Sequence, residues 1–205
     1  MRQLALALSP PPEQTLENFV AGANLEIVAR LRALAEGALP EPIVYLWGEP
    51  GSGRSHLLAA TARAAARSSG ITIADDVERL DPAGQLALFN AINAARESRG
   101  AVLAAGSAPP GQLPLREDLR SRLAWGLVYC VRPLTDAERA LYLRGEAARR
   151  GIALADEVIG YLLAHVRRDL PSLSAILEAL DRASLERQRP LTLPMVRETL
   201  KSLER

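Results

Sequence analysis

"IVYLWGEPGSGRSHLL" runs from Ile43 to Leu58 and decides how the rest of the chain is read. Ile43–Trp47 is a compact apolar run that suits a strand buried in a parallel sheet. It is followed at once by Gly48, four residues, Gly53, a basic residue and a serine. Backbone N–H groups at a helix start point at a phosphate, and Gly48, Gly51 and Gly53 let the chain approach it closely. In that pattern Ser55 places a hydroxyl on Mg²⁺ and the basic residue reaches the outer phosphates, with His56 beside them. Here the basic residue is Arg54, where such loops carry lysine. Its planar fork does not sit as an ammonium does, so the reading is diphosphate binding without fast hydrolysis.

Working outward, "ITIADDVE" supplies a second strand that ends in Asp75 and Asp76. A carboxylate at that strand end is where Mg²⁺ is held opposite the loop, and a second one orients a water. The alternative is two carboxylates that merely cap the next helix. Strands are further expected at Ala101–Ser107 and Gly126–Val131. Helices are expected over about Asn24–Ala35, Ser55–Arg67 and Pro82–Arg99, the last from the spacing of Leu86, Leu88, Phe89 and Ile92. Alternating strand and helix predict a parallel α/β sheet with right-handed crossovers. From Thr135 onward four helices follow without a strand, three of them opened by Thr-, Asp- or Ser-type caps. That is a separate helical subdomain.

Composition narrows the classes. The 205 residues are 48% hydrophobic and 24% charged, and the net charge of +1 gives no global pull toward nucleic acid or membrane. Lys201 is the only lysine among 25 basic residues, so an arginine at position 54 is less surprising here than in most chains. A single cysteine, Cys130, precludes an internal disulfide, and a reducing, cytoplasmic setting is expected. Met1 to Leu8 is too short for a signal-peptide core. The histidines, His56 and His165, lie in separate segments, so metal clusters and hydrolase triads find little support.

Two segments keep two readings each. "LREDLRSRLAWG" puts Arg116, Arg120 and Arg122 on a polar helix start with Leu119 and Leu123 as apolar partners; spacing alone favours a solvated basic face. In "QLALAL", Gln3 precedes an apolar stripe of Leu4, Leu6 and Leu8, ahead of the stiff Pro10–Pro12 linker. These leucines either dock back on the sheet or enter a partner's groove as an extended peptide.

With these pieces in order, the sequence resembles the AAA+ family, its DnaA-like branch, and within that branch the Hda-like proteins. The stretches that carry the resemblance are "QLALAL", "TLENFVAGAN", "YLWGEPGSGRSHLL", "SRLAWGLVYCVRPLTDAER" and "LDRASLERQRPLTLPMVRE", which span nearly the whole chain. The resemblance implies an AAA+ base over residues 13–134, a helical lid over 135–205, and a tail over 1–12 that binds the β sliding clamp of DNA polymerase III through Gln3, Leu4, Leu6 and Leu8. It implies that Asn18, Phe19 and Val20 lie against an adenine, that ADP is the nucleotide, and that Ser55 and Asp75 hold any Mg²⁺. Arg122 matches an arginine finger that acts in trans on ATP held by DnaA, so the chain would regulate initiation of replication negatively, reaching DNA only through the clamp. Homo-oligomer formation is left open.

Departures from the family shape the expectation. One strand–helix unit is missing between the loop helix and the Asp75 strand, so a sheet of order 5-1-4-3-2 is expected as 5-1-4-3. Ser107 stands at the first sensor position and Pro171 at the second; Arg167 and Arg168 lie nearby without inheriting the role. A helix-turn-helix domain is not expected to follow. Self-hydrolysis is therefore not expected. The rival readings are a self-contained ATPase akin to helicase loaders, and a clamp- or DnaA-binding module without nucleotide.

Overall fold

A computed structural model describes residues 13–66, 70–97, 100–167, 169–187 and 191–203. Gln3, Leu4, Leu6, Leu8, the Pro10–Pro12 linker and Arg168 lie outside them. The chain divides into two compact units. Among the described residues the first unit holds 13–19, Glu26–Trp47 and Arg54–Cys130, and the second holds Val20–Leu25, Gly48–Gly53 and the chain from Val131 onward.

The first unit is a parallel sheet wrapped by helices. Its strands are β1 (Ile43–Trp47), β2 (Ile71–Ala74), β3 (Ala101–Gly106) and β4 (Leu127–Cys130), in the order β2-β3-β1-β4. This is the four-stranded sheet expected from a five-stranded order that has lost its second strand. Register pairs Tyr45 with Ala104 and with Val128. The apolar character of β1 and β3 follows from their place: both are central, and Val44, Tyr45, Leu46, Val102, Leu103 and Ala104 have no exposed surface. The shorter β2 is an edge strand with no fully buried residue.

Helices α1 (Leu25–Ala35, from Glu26 onward), α2 (Arg54–Ala65), α3 (Pro82–Glu97) and α4 (Glu117–Ala124) belong to this unit, and α1, α2 and α3 begin within one residue of their expected starts. One core gathers Tyr45 and Val102 from the sheet, Leu88 and Ile92 from α3, and Leu119 and Leu123 from α4. Leu119 and Leu123 are fully buried, and each contributes roughly 1.5–3 kcal/mol to seating the short α4.

The second unit carries four helices, α5 (Asp136–Arg149), α6 (Asp156–His165), α7 (Leu170–Arg187) and α8 (Leu193–Leu203). Leu143, Ile159, Leu173 and Leu177 form one cluster, and Val158, Leu162, Leu180, Met195 and Val196 another. Thr135 opens α5 with a reciprocal capping box to Glu138. The caps of the next two helices differ from expectation. α6 follows Ala155, which makes no side-chain cap, and its Asp156 and Glu157 favour the helix start through charge alone. α7 starts before Ser172: Asp169 Oδ1 accepts the Ser172 N–H at 2.9 Å, and Pro171 sits in the first turn, where a missing N–H costs nothing. No helix among the described residues is long and apolar enough to cross a membrane.

Candidate functional site

The glycine loop, residues 48–53, leaves β1 and leads into α2. Gly51 and Gly53 have φ of +81° and +101°, backbone conformations that L side chains rarely adopt. A Cβ on Gly48 would lie 2.5 Å from the Val131 carbonyl oxygen, so that position admits only glycine. Between them Ser52 is buried and its Oγ has no hydrogen-bond partner. A buried, unsatisfied hydroxyl in a loop of this shape suits an anion that is not part of the chain.

Arg54 is the first residue of α2, and 11% of its side chain is exposed. Its Nη2 lies 4.0 Å from Asp76 Oδ1, while its Nη1 is buried without a partner. Asp76 adopts φ 44° and ψ 51°, the single non-glycine residue of positive φ among the described residues. Aspartate tolerates this left-handed geometry better than most residues, and strain of this kind concentrates at functional sites. Its second oxygen, Oδ2, lies 3.6 Å from Arg79 Nη1. Both oxygens of Asp76 thus face guanidinium groups, which leaves it poorly placed to orient a water. Asp75 is exposed, and its Oδ1 accepts the Asp76 N–H at 2.9 Å. Ser55 is exposed on α2.

Sequence reasoning passed over Glu78. Its Oε1 accepts the Ser107 N–H at 3.1 Å and its Oε2 is buried without a partner. Beside it Tyr45 donates its hydroxyl to the Ala108 carbonyl at 2.8 Å. The Tyr45 phenol is pushed far above its ordinary range, first by burial and then by the Glu78 charge, with Arg54 opposing. Glu78 lies one turn past the strand end and shares no recognisable spacing with the loop; only folding brings it beside Ser107 and Tyr45.

The segment expected against an adenine is split. Asn18 ties its own turn, accepting the Thr15 N–H at 3.0 Å and donating to the Glu13 carbonyl at 2.7 Å. Phe19 packs its ring against His56 on α2, with centroids 5.3 Å apart, and His56 Nε2 is 2.9 Å from the Thr15 carbonyl. These three residues are brought together. Val20 falls in the second unit, where it lines a groove of about 460 Å³ with Leu141, Tyr142 and Gly145 of α5. In that unit Asn24 is buried and reads the backbone of Arg132 in both directions, at 2.8 Å each.

Arg122 sits in the last turn of α4, half-buried. Its guanidinium carbon is 3.9 Å from the centroid of Trp125 and 5.5 Å from that of Phe89. Arg96 of α3 approaches the same indole at 4.6 Å. Among the described residues no carboxylate lies within ion-pair range of Arg122, whereas the neighbouring Arg116 is paired with Asp118 at 2.6 Å. At the sensor positions, Ser107 offers its backbone N–H to Glu78, Pro171 has no side-chain donor, and Arg167 pairs with Asp169 at 3.4 Å.

The donors present bear differently on the two groups that the fold implies. The loop has the glycine geometry that a diphosphate requires, and its Ser52 Oγ is a buried donor in want of an acceptor. For Mg²⁺ the chain offers the exposed Asp75 carboxylate and the Ser55 hydroxyl, phosphate and water completing the shell of such an ion, while Asp76 already faces two cations.

Comparison with known proteins agrees with the geometry. Residues 136–200 match the family described as "Hda, lid domain". Domain III of the replication initiation protein DnaA from Thermotoga maritima superposes with a TM-score of 0.73 at 20% identity, over 94% of this chain and 97% of that one. A replication initiator DnaA bound to AMPPCP and single-stranded DNA gives 0.72 at 21% identity, over 87% of this chain and 68% of that one. The Thermotoga maritima RuvB Holliday junction branch migration motor gives 0.69 at 17% identity, over 93% and 72%. The chain shares the fold of DnaA domain III and of the RuvB motor, and its residues 136–200 match the Hda lid-domain family.

Proposed function

We propose that this protein is a regulator of replication initiation that acts on nucleotide held by DnaA rather than on its own. Arg122 carries the reading. It is a cation with no ion-pair partner among the described residues, held on two aromatic rings at the end of a well-seated helix. A guanidinium so placed is suited to stabilise charge on a phosphoryl group presented by another subunit, where trans-acting arginines accelerate hydrolysis by about 10³–10⁵-fold. DnaA, whose solved structures with AMPPCP share this fold, is the ATP-holding partner.

The chain's own loop holds a nucleoside diphosphate, with ADP as the first choice, and does not turn it over. Gly48, Gly51, Gly53, Arg54 and Ser55 cradle the phosphates, and Asn18, Phe19, Val20 and His56 serve the base. Gln3, Leu4, Leu6 and Leu8 tether the protein to the sliding clamp, so DNA is met through the clamp and the protein works in the cytoplasm. Residues 13–134 form the base and 135–205 the lid.

The test is ATP hydrolysis by DnaA of the same organism, with this protein and clamp loaded on DNA. Stimulation by wild type and loss of at least ~10³-fold of it with Arg122→Ala is the expected result. Equal stimulation by Arg122→Ala refutes the finger assignment. Phosphate release by the purified protein alone, without DnaA, would establish the rival reading of a self-contained ATPase.

A further inference from the structure

We propose that Arg96 is a second anion-contacting arginine beside Arg122. The two guanidinium groups, both carried on the Trp125 indole, grip the terminal phosphates of a nucleoside triphosphate held by another protein. The proposal rests on the trans-acting reading given above and goes further in naming a residue that the arginine-finger pattern does not include.

The cluster lies wholly within the first compact unit. Arg96 is in the last turn of α3 and Arg122 in the last turn of α4. The two helices share one core, through Ile92 and Ala95 on α3 and Leu119 and Leu123 on α4. That packing brings together two arginines far apart in the chain. Their guanidinium carbons lie 4.6 Å and 3.9 Å from the centroid of the same indole. The separation of the two cations is bounded by those two distances together, a span that a short chain of phosphates can bridge.

Two permanent positive charges held so close repel each other. The offsets within the protein are small: a helix C-terminus beside each cation, and one exposed cation–π contact for each. No carboxylate among the described residues lies within ion-pair range of either arginine, whereas Arg116 is paired with Asp118 at 2.6 Å and Arg63 with Glu13 at 2.8 Å. Arginines on a merely solvated face lower their repulsion by extending apart, and these two converge on one ring.

The ring takes the face of each guanidinium and leaves the N–H groups at its edge free to donate. Trp125 is 56% exposed, so those donors are presented at the surface. Phosphate oxygens are the acceptors that such planar forks match in pairs. A single carboxylate suits one fork. The terminal phosphates of a triphosphate carry charge and oxygens enough for both.

The test compares the affinity of full-length protein, with clamp loaded on DNA, for DnaA carrying AMPPCP and for DnaA carrying ADP. Wild type is expected to favour the AMPPCP form. Arg96→Met keeps a long side chain on the indole without the charge, and should reduce that preference about 10-fold, the loss of one charge-assisted contact. Arg96→Lys keeps the charge and should lose less than about threefold. Affinity for the ADP form should stay within about threefold in both variants. An Arg96→Met protein that retains the preference overturns the proposal and makes Arg96 a support of the indole. Equal loss of affinity for both forms also overturns it, because Arg96 then meets the surface of DnaA and not its nucleotide. In either case, hydrolysis stimulated by wild type and lost with Arg122→Ala leaves the regulatory reading intact. Wild type without a preference for the AMPPCP form overturns the proposal, and without stimulation of hydrolysis as well it overturns both.

Discussion

The Arg122 guanidinium rests 3.9 Å from the centroid of the Trp125 indole, three residues further along the chain. Trp125 is 56% exposed, which is unusual for so large an apolar side chain, and its ring is shared with Arg96. The ring serves the arginine: it fixes the direction of a long, rotamer-rich side chain without consuming its N–H donors.

Trp125→Ala should therefore weaken stimulation of DnaA hydrolysis by about 10-fold, the equivalent of the ~1.4 kcal/mol within the range of such contacts. Trp125→Phe, which keeps an aromatic face, should retain most of the activity. Rates measured at saturating protein distinguish this from weakened association, and equal loss in both variants would show that the indole does something other than support Arg122.

Gly106 closes β3 against the Tyr45–Glu78 pair, where an added Cβ would lie 2.3 Å from Tyr45 Oη and 2.9 Å from Glu78 Oε2. Gly106→Ala should lower stability by about 1–3 kcal/mol, as overpacking does. Adding Tyr45→Phe removes the oxygen in the way, so the double variant should recover part of that loss beyond additivity. Denaturant melts of the four proteins of the cycle give the coupling.

The capping box at α5 predicts both a mutational and a pH effect. Thr135→Ala should cost about 1 kcal/mol of stability through the lost cap. Glu138 is held below its ordinary pKa of 4.5, chiefly by the Thr135 backbone N–H and then by the Thr135 hydroxyl. A depressed folded-state value stabilises above the unfolded value and is lost as pH falls through the folded one. The Thr135→Ala deficit should hence be full above pH 4.5 and shrink below it, read from melts across that range.

Deletion of Met1 to Leu8 should abolish binding to the sliding clamp in a surface-immobilised assay, and with it the clamp-dependent part of DnaA stimulation. Unchanged clamp affinity would remove the tether from the proposed function. ADP affinity should stay the same in the shortened protein, since no loop residue is touched.

Some of this protein was settled by local sequence. Ile43–Trp47 followed by the glycine pattern requires a strand, a turn and a helix in that order, because apolar periodicity and glycine geometry are local properties. The same holds for the Thr135 cap, whereas the order of the four-stranded sheet followed from the resemblance, against which the interval between Ser55 and Asp75 is short by one strand–helix unit. Caps were less legible at α6 and α7, where Ala155 and Asp169, not the nearest polar residue of the helix itself, occupy the boundary. What tertiary structure alone decided are the encounters across the chain. Spacing could not show that Arg54 and Arg79 divide the oxygens of Asp76, that Glu78 reaches the Ser107 N–H, or that Phe19 packs on His56. Apart from the local Arg79–Asp76 pair, each joins residues far apart in the chain, and such charges and rings find their partners only once the core of Tyr45, Ile92, Leu119 and Leu123 has packed and fixed the distances between them.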